Sequence, residues 1–184
     1  MGASRIANVT AAVLVGAGGS ASPKSARADA ALADQLAALF DDTLWVGDPP
    51  PAGAPGRFVP MAGEDRNSIV GVAAAIEAVR SERVIVFAVE QGLVGAELLL
   101  ALVAWPERAV VWVVEGEQLF PVCGIYRRED LLASARSVLA SPSSPISFET
   151  FLAGLEIERV TLAQLGLDSG PHPLFAGREW REAC

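Results

Sequence analysis

The stretch Arg83-Val-Ile-Val-Phe-Ala-Val89 decides the fold. An unbroken apolar run of this length, rich in β-branched residues, predicts a strand buried on both faces, which is the strand type of a parallel sheet covered by helices. Upstream, Ala11-Ala-Val-Leu-Val15 has the same character and ends in the glycine-rich Gly16-Ala-Gly-Gly19. Between these two runs, residues 28–40 are rich in Ala, Leu and Gln and predict a helix. A second strand is expected over residues 43–46 and a short third one over 57–59. Asn67 or Ser68 can cap a helix running to about Val79, because either side chain accepts from orphan N–H groups.

Downstream, a helix is expected over 95–104 and a strand over 109–114. Glu115-Gly-Glu117 then leaves room only for a turn before residues 119–126, which predicts a hairpin or a strand that leaves the parallel register. Helices over 129–139 and 147–155 and a last strand near 157–160 complete the pattern. Strand and helix units joined by right-handed crossovers predict an α/β protein: a three-layer α/β/α sandwich on a Rossmann-like, mostly parallel sheet. The 184 residues fit a single domain, 1–184, with no internal repeat, and the proline-rich stretch 47–56 reads as a loop, too little chain preceding it to form a domain.

Composition narrows the function classes. Fourteen basic against twenty-two acidic side chains give a net charge of −8, which excludes broad electrostatic binding to nucleic acid or to an anionic membrane surface. Mean hydropathy is high at +0.38, yet the longest apolar runs fall well short of the roughly 20 residues of a spanning helix. Arg5 ahead of the apolar residues 9–17 has the order of a secretory signal, but a buried strand entering a glycine turn accounts better for so short a run. Cys123 and Cys184 show no disulfide spacing, so a reducing, cytoplasmic setting is expected. Apolar surface on so hydrophobic a domain could serve a partner protein or a homo-oligomer.

In a doubly wound sheet, ligands bind beyond the carboxyl ends of the strands, so the loops after Val15, Val59 and Val89 matter most. The first contains Gly18, Gly19 and Lys24. Glycines let backbone N–H groups approach a phosphate, and a lysine adds a compact charge, but the spacing matches neither the P-loop nor the dinucleotide fingerprint, and a plain tight turn reads equally well. Lys24 is the only lysine beside thirteen arginines; a solvated loop lysine is the alternative. Glu90 ends the deciding strand, a position that suits Mg²⁺ or simply a solvated carboxylate. Gly71 opens a helix whose N-terminus could meet an anion, or serves close packing. The lone histidine, His172, lies between two prolines and suits an exposed loop, and neither zinc spacing nor a G-x-S-x-G elbow occurs. Trp45, Trp105, Trp112 and Trp180 read as core and edge packing.

Taken in order, these segments resemble the molybdenum cofactor guanylyltransferases, the MobA-like nucleotidyltransferases. Residues 11–15 with Ala17-Gly-Gly19 resemble the family's opening strand and L-A-G-G loop, and Leu39-Phe-Asp-Asp-Thr-Leu-Trp-Val46 resembles its helix end and second strand. Gly71-Val-Ala-Ala-Ala-Ile76 resembles the segment after G-P-L-x-G, and residues 83–93 resemble the strand leading to an aspartate-x-proline motif. Phe120-Pro-Val-Cys-Gly-Ile-Tyr-Arg-Arg128 is similar to the family's P-L-x-A-x-Y-R segment. The resemblance implies a nucleotide-diphospho-sugar transferase-like fold and Mg²⁺-dependent transfer of GMP from GTP to molybdopterin. It also implies roles: Ala17, Gly18, Gly19 and Gly71 at the nucleotide, Lys24 and Glu90 in catalysis, and Glu90 on the metal.

The departures fall on functional positions. The arginine-rich stretch after the glycines is shortened, and a nucleotide-contacting aspartate becomes Met61 or moves to Glu64 or Asp65. The metal aspartate becomes Glu90 with Gly92 for the motif proline, and the closing N-T-P-E-D-L segment is reduced to Leu174-Phe-Ala-Gly-Arg-Glu-Trp180. The second expectation is therefore a catalytically impaired relative that acts as a binding or assembly module for a molybdenum enzyme.

Overall fold

The computed structural model describes residues 5–15, 25–50, 52–61, 68–88, 96–106, 109–113, 119–139, 151, 154–161 and 163–167. Seven strands form one sheet: β1 (Ile6–Val15), β2 (Phe40–Gly47), β3 (Arg57–Pro60), β4 (Arg83–Ala88), β5 (Ala109–Val113), β6 (Leu119–Arg127) and β7 (Ile157–Thr161). Their order is β3-β2-β1-β4-β6-β5-β7. β3, β2, β1 and β4 run parallel, β6 is antiparallel to both β4 and β5, and β7 is parallel to β5. The deciding strand is thus the last of the parallel block, and β6 is the strand expected to leave the parallel register.

Among the described residues four helices cover the sheet: α1 (Ser25–Leu39), α2 (Ser68–Ala78), α3 (Ala96–Ala104) and α4 (Arg128–Leu139). Alternation along the strands sorts side chains between two cores. Ala12, Leu14, Val84 and Val86 face α2 and α4 in one cluster, which also holds Ile76, Leu131 and Phe151. Val9, Ala11, Val13, Ile85 and Phe87 face the other, with Leu32 and Leu36 of α1 and Leu98, Leu99 and Leu102 of α3. Two apolar faces on one sheet account for the high mean hydropathy without any lipid. No helix among the described residues is long and apolar enough to cross a membrane.

The elements follow the sequence expectations, with two shifts. Phe40, expected at the end of a helix, begins β2 and pairs with Ile6, so α1 runs into β2 with no connecting residue. Periodicity cannot find that boundary, because Phe40 is buried by the helix rule and by the strand rule alike. β1 starts at Ile6 rather than Ala11, and takes in Thr10, whose hydroxyl is buried but hydrogen-bonded. The helix expected over 147–155 lies mostly outside the described residues; Phe151 within it is helical and buried.

Arginines from the first residues of β3, β4 and α4 terminate two of the helices. α2 and α3 carry no basic residue in their last turns. Arg57 donates to the Ala78 carbonyl (2.9 Å) and Arg128 Nε to the Val79 carbonyl (2.8 Å), while Arg83 donates to the carbonyls of Val103 and Trp105 (3.0 Å each). The orphan carbonyls at both helix ends therefore meet guanidinium groups, which carry the charge that a helix C-terminus favours.

Candidate functional site

At the carboxyl edge of the parallel block, Val15 pairs with Gly47, Gly47 with Pro60, and Leu14 with Ala88, so four strands end at nearly one level. The order of connection reverses between β1 and β4. β1 passes through α1 to β2 on one side, and β4 lies on the other, so these two strands flank the topological switch point of the sheet. A crevice forms at such a point because neighbouring connections diverge to opposite faces.

Backbone geometry tightens this edge. Gly47 adopts φ +110°, and a Cβ there would lie 2.2 Å from the Val15 carbonyl oxygen. Only glycine lets the chain turn against β1 in this way. The next residue, Asp48, donates its N–H to the same carbonyl at 3.1 Å. Its half-buried carboxylate joins the edge beside the end of β1, and Glu97 in the first turn of α3 is a second, exposed one. Neither was expected from sequence. The available signal for Asp48 is an acidic residue directly after a strand-ending glycine, which the proline-rich stretch behind it obscures.

Of the residues expected at the site, Gly71 is described. It sits in the first turn of α2, buried, and a Cβ on it would lie 3.2 Å from Met61 Sδ and 3.4 Å from Leu14 Cδ2. Its missing side chain lets α2 approach the end of β1, which is the packing reading of this glycine. Ala17, Gly18, Gly19, Lys24 and Glu90 lie outside the described residues. The segments bearing them leave the two strands that flank the switch point: Gly16 follows the last residue of β1, Lys24 precedes the first residue of α1, and Glu90 is two residues beyond β4. Among the described residues no group of three potential metal-ligating side chains occurs. Trp45, read as packing, is fully buried with its indole N–H donating to the Pro55 carbonyl at 2.9 Å.

Among the described residues, charged side chains interact most closely at the opposite, amino edge. Arg57 grips Asp42 with Nη2 on Oδ2 (2.7 Å) and Nε on Oδ1 (3.1 Å), and Thr10 Oγ1 donates to Oδ2 (2.9 Å). Partial burial pushes the Asp42 carboxyl up, but the hydrogen bonds from Arg57 and Thr10 and the charges of Arg57 and Arg80 outweigh it and hold the group below its ordinary value. The hydrogen bond to Asp42 correspondingly raises Arg57.

Solved structures share this architecture. A protein of Aquifex aeolicus superposes with a TM-score of 0.68 at 17% identity, over 88% of this chain and 92% of its own. The molybdopterin-guanine dinucleotide biosynthesis protein A of Archaeoglobus fulgidus matches at 0.61 and 17%, over 85% of each chain. The 2-C-methyl-D-erythritol 4-phosphate cytidylyltransferase of Thermus thermophilus matches at 0.57 and 20%, over 88% of this chain and 94% of its own. The fold is therefore the mostly parallel α/β fold that these solved structures share. Within it the likeness extends to molybdopterin-guanine dinucleotide biosynthesis proteins and to cytidylyltransferases alike. No protein-family model matches the sequence, and comparison with curated proteins finds no match.

Proposed function

We propose that this protein is a nucleotidyltransferase that moves a nucleoside monophosphate from a nucleoside triphosphate to a phosphorylated acceptor, with GTP and molybdopterin as the favoured pair. The observation that supports this reading is the placement of the switch point: the segments carrying Gly18, Gly19 and Lys24 and carrying Glu90 leave adjacent parallel strands, β1 and β4, at one edge. That edge is where a sheet of this kind binds nucleotides.

In this reading, backbone N–H groups of Ala17, Gly18 and Gly19 hold the triphosphate, and Gly71 lets α2 close on the same edge. Lys24 neutralises charge on the transferring phosphate. An acceptor phosphate oxygen attacks the α-phosphorus in line, the bond from the α-phosphorus to the bridging oxygen breaks, and pyrophosphate leaves. Mg²⁺ takes one or two carboxylates together with phosphate oxygens, and Glu90 is the side chain that would hold it, with Asp48 at the same edge; bound there, the ion offsets phosphate charge.

The substitution of Glu90 for the family aspartate favours a second reading, a catalytically impaired module that binds a nucleotide or a molybdenum enzyme. Calorimetric titration with GTP, CTP and ATP, each with and without Mg²⁺, separates the two. The transferase reading expects GTP to bind only with Mg²⁺ and Glu90→Ala to abolish that binding. Absence of binding by all three nucleotides overturns it.

A further inference from the structure

Far from the carboxyl edge, where β4 begins and β6 ends, the surface holds a groove of about 410 Å³. That volume lies within the range of about 300–1,000 Å³ typical of small-molecule sites, but its walls are ionic where most such sites are apolar. Four arginines line it, Arg80, Arg83, Arg127 and Arg128, against two carboxylates, Glu82 and Glu129. The chain as a whole has net charge −8, so this concentration of cations runs against its overall balance.

The guanidinium groups divide by how far they are already engaged. Arg83 is spent on the end of α3 through two carbonyls. Arg127 is ion-paired with Glu129 and reaches Asp130 at 3.7 Å. Arg128 is anchored by its backbone N–H on the Glu82 carbonyl (2.8 Å) and by Nε on the Val79 carbonyl, and among the described residues no acceptor meets its two Nη groups. Arg80 is exposed; its charge acts at a distance on Asp42, and among the described residues no hydrogen bond or ion pair holds its guanidinium. One guanidinium with a fixed stem and another with all its donors free thus share a groove whose carboxylates are outnumbered. Planar forks of this kind match phosphate oxygens two at a time, and a held stem lessens the ordering needed on binding.

We infer that this amino-edge groove is an anion site for a phosphate group, with Arg80 and Arg128 as its donors and Arg83 and Arg127 supplying fixed positive charge. It lies at the other end of the strands from the proposed nucleotide crevice and stands or falls independently of it. The phosphate could be free or carried on a phosphoester.

Arginine Nε–H signals in ¹H–¹⁵N spectra of the 184-residue chain provide the test, with titration by inorganic phosphate and, separately, by AMP, both at constant ionic strength set with chloride. The expected result is a saturable shift of the Arg80 and Arg128 signals. Arg80→Gln is expected to weaken the titration by about tenfold or more, through loss of a bidentate charged partner, while the protein stays folded by circular dichroism. Arg136→Gln, an exposed site further along α4, leaves the titration as in the parent. Saturation at lower AMP than phosphate identifies a phosphoester ligand, and the reverse order a free phosphate. Shifts that fail to saturate, that chloride alone reproduces, or that persist unchanged in Arg80→Gln overturn the inference.

Discussion

Arg57, the first residue of the edge strand β3, locks onto Asp42 in β2 with two parallel hydrogen bonds and reaches across to the last carbonyl of α2. One side chain thereby ties the outermost strand, its neighbour and a helix end together. Each partner of the pair keeps about 30% of its side-chain exposure, so solvent screens the interaction and its contribution is modest. Asp42→Asn is expected to lower stability by about 1–2 kcal/mol, a melting shift of roughly 2–8 °C for a chain of this size, read by calorimetry.

The same pair sets an acid dependence. Asp42 titrates below its ordinary value when folded, so the unfolded chain takes up the proton first as pH falls. The contribution is complete above the unfolded carboxyl value and is lost as pH drops through the folded one. Urea midpoints measured from pH 7 down to pH 3 should therefore fall less steeply for Asp42→Asn than for the parent. Parallel slopes would remove Asp42 as a source of the acid response.

Gly47 makes a sharper mutational prediction. An alanine there faces both a left-handed backbone and a carbonyl oxygen 2.2 Å from its Cβ, and neither can be relieved without separating β1 from β2 at the carboxyl edge. Gly47→Ala should cost about 2–4 kcal/mol, strain and clash together. Gly53 has φ +82° with open space around it, so Gly53→Ala should cost only about 1 kcal/mol, the backbone share alone. Equal losses in urea unfolding would show that the close approach to Val15 does not matter.

Much of this fold is legible in the sequence because buried strands are written as continuous apolar runs and four of the six connections between them hold a helix. The antiparallel placement of β6 is legible as well, since Glu115-Gly-Glu117 is too short for a crossover between parallel strands. What sequence reasoning misses is non-local. Arg57 and Ala78 are 21 residues apart, and Arg128 and Val79 are 49 apart, so no window along the chain shows that arginines cap the helices or gather at the amino edge. At the candidate site, sequence points to the ends of β1 and β4, which the strand order places at the switch point, but overlooks Asp48, whose place depends on the turn at Gly47.

Gly71 can be assigned by a double substitution. The nearest obstacle to a Cβ is the sulfur of Met61, the end of an adaptable side chain, so Gly71→Ala should cost about 1 kcal/mol and Met61 should yield. If the glycine serves packing, Gly71→Ala combined with Met61→Ala should show coupling of at least about 0.5 kcal/mol, since the clash is gone in the pair. Additive losses together with lost nucleotide binding would instead assign Gly71 to the ligand.

The identity of residue 90 separates an enzyme built around glutamate from a relative that has lost its chemistry. Glutamate keeps the charge of the aspartate in the MobA-like proteins that the sequence resembles but carries the carboxylate one methylene further, and an ion held between carboxylate and phosphate tolerates little displacement. In a working enzyme the rest of the edge, Asp48 included, is matched to that longer reach, so shortening it moves the carboxylate away from the position the triphosphate requires. Glu90→Asp should then lower pyrophosphate release from GTP in the presence of acceptor by about tenfold to a hundredfold. An impaired relative would respond in the opposite sense, because the aspartate restores the geometry from which it drifted. A rise in pyrophosphate release on Glu90→Asp would therefore overturn the transferase reading of the natural chain while confirming that Glu90 stands at the metal position.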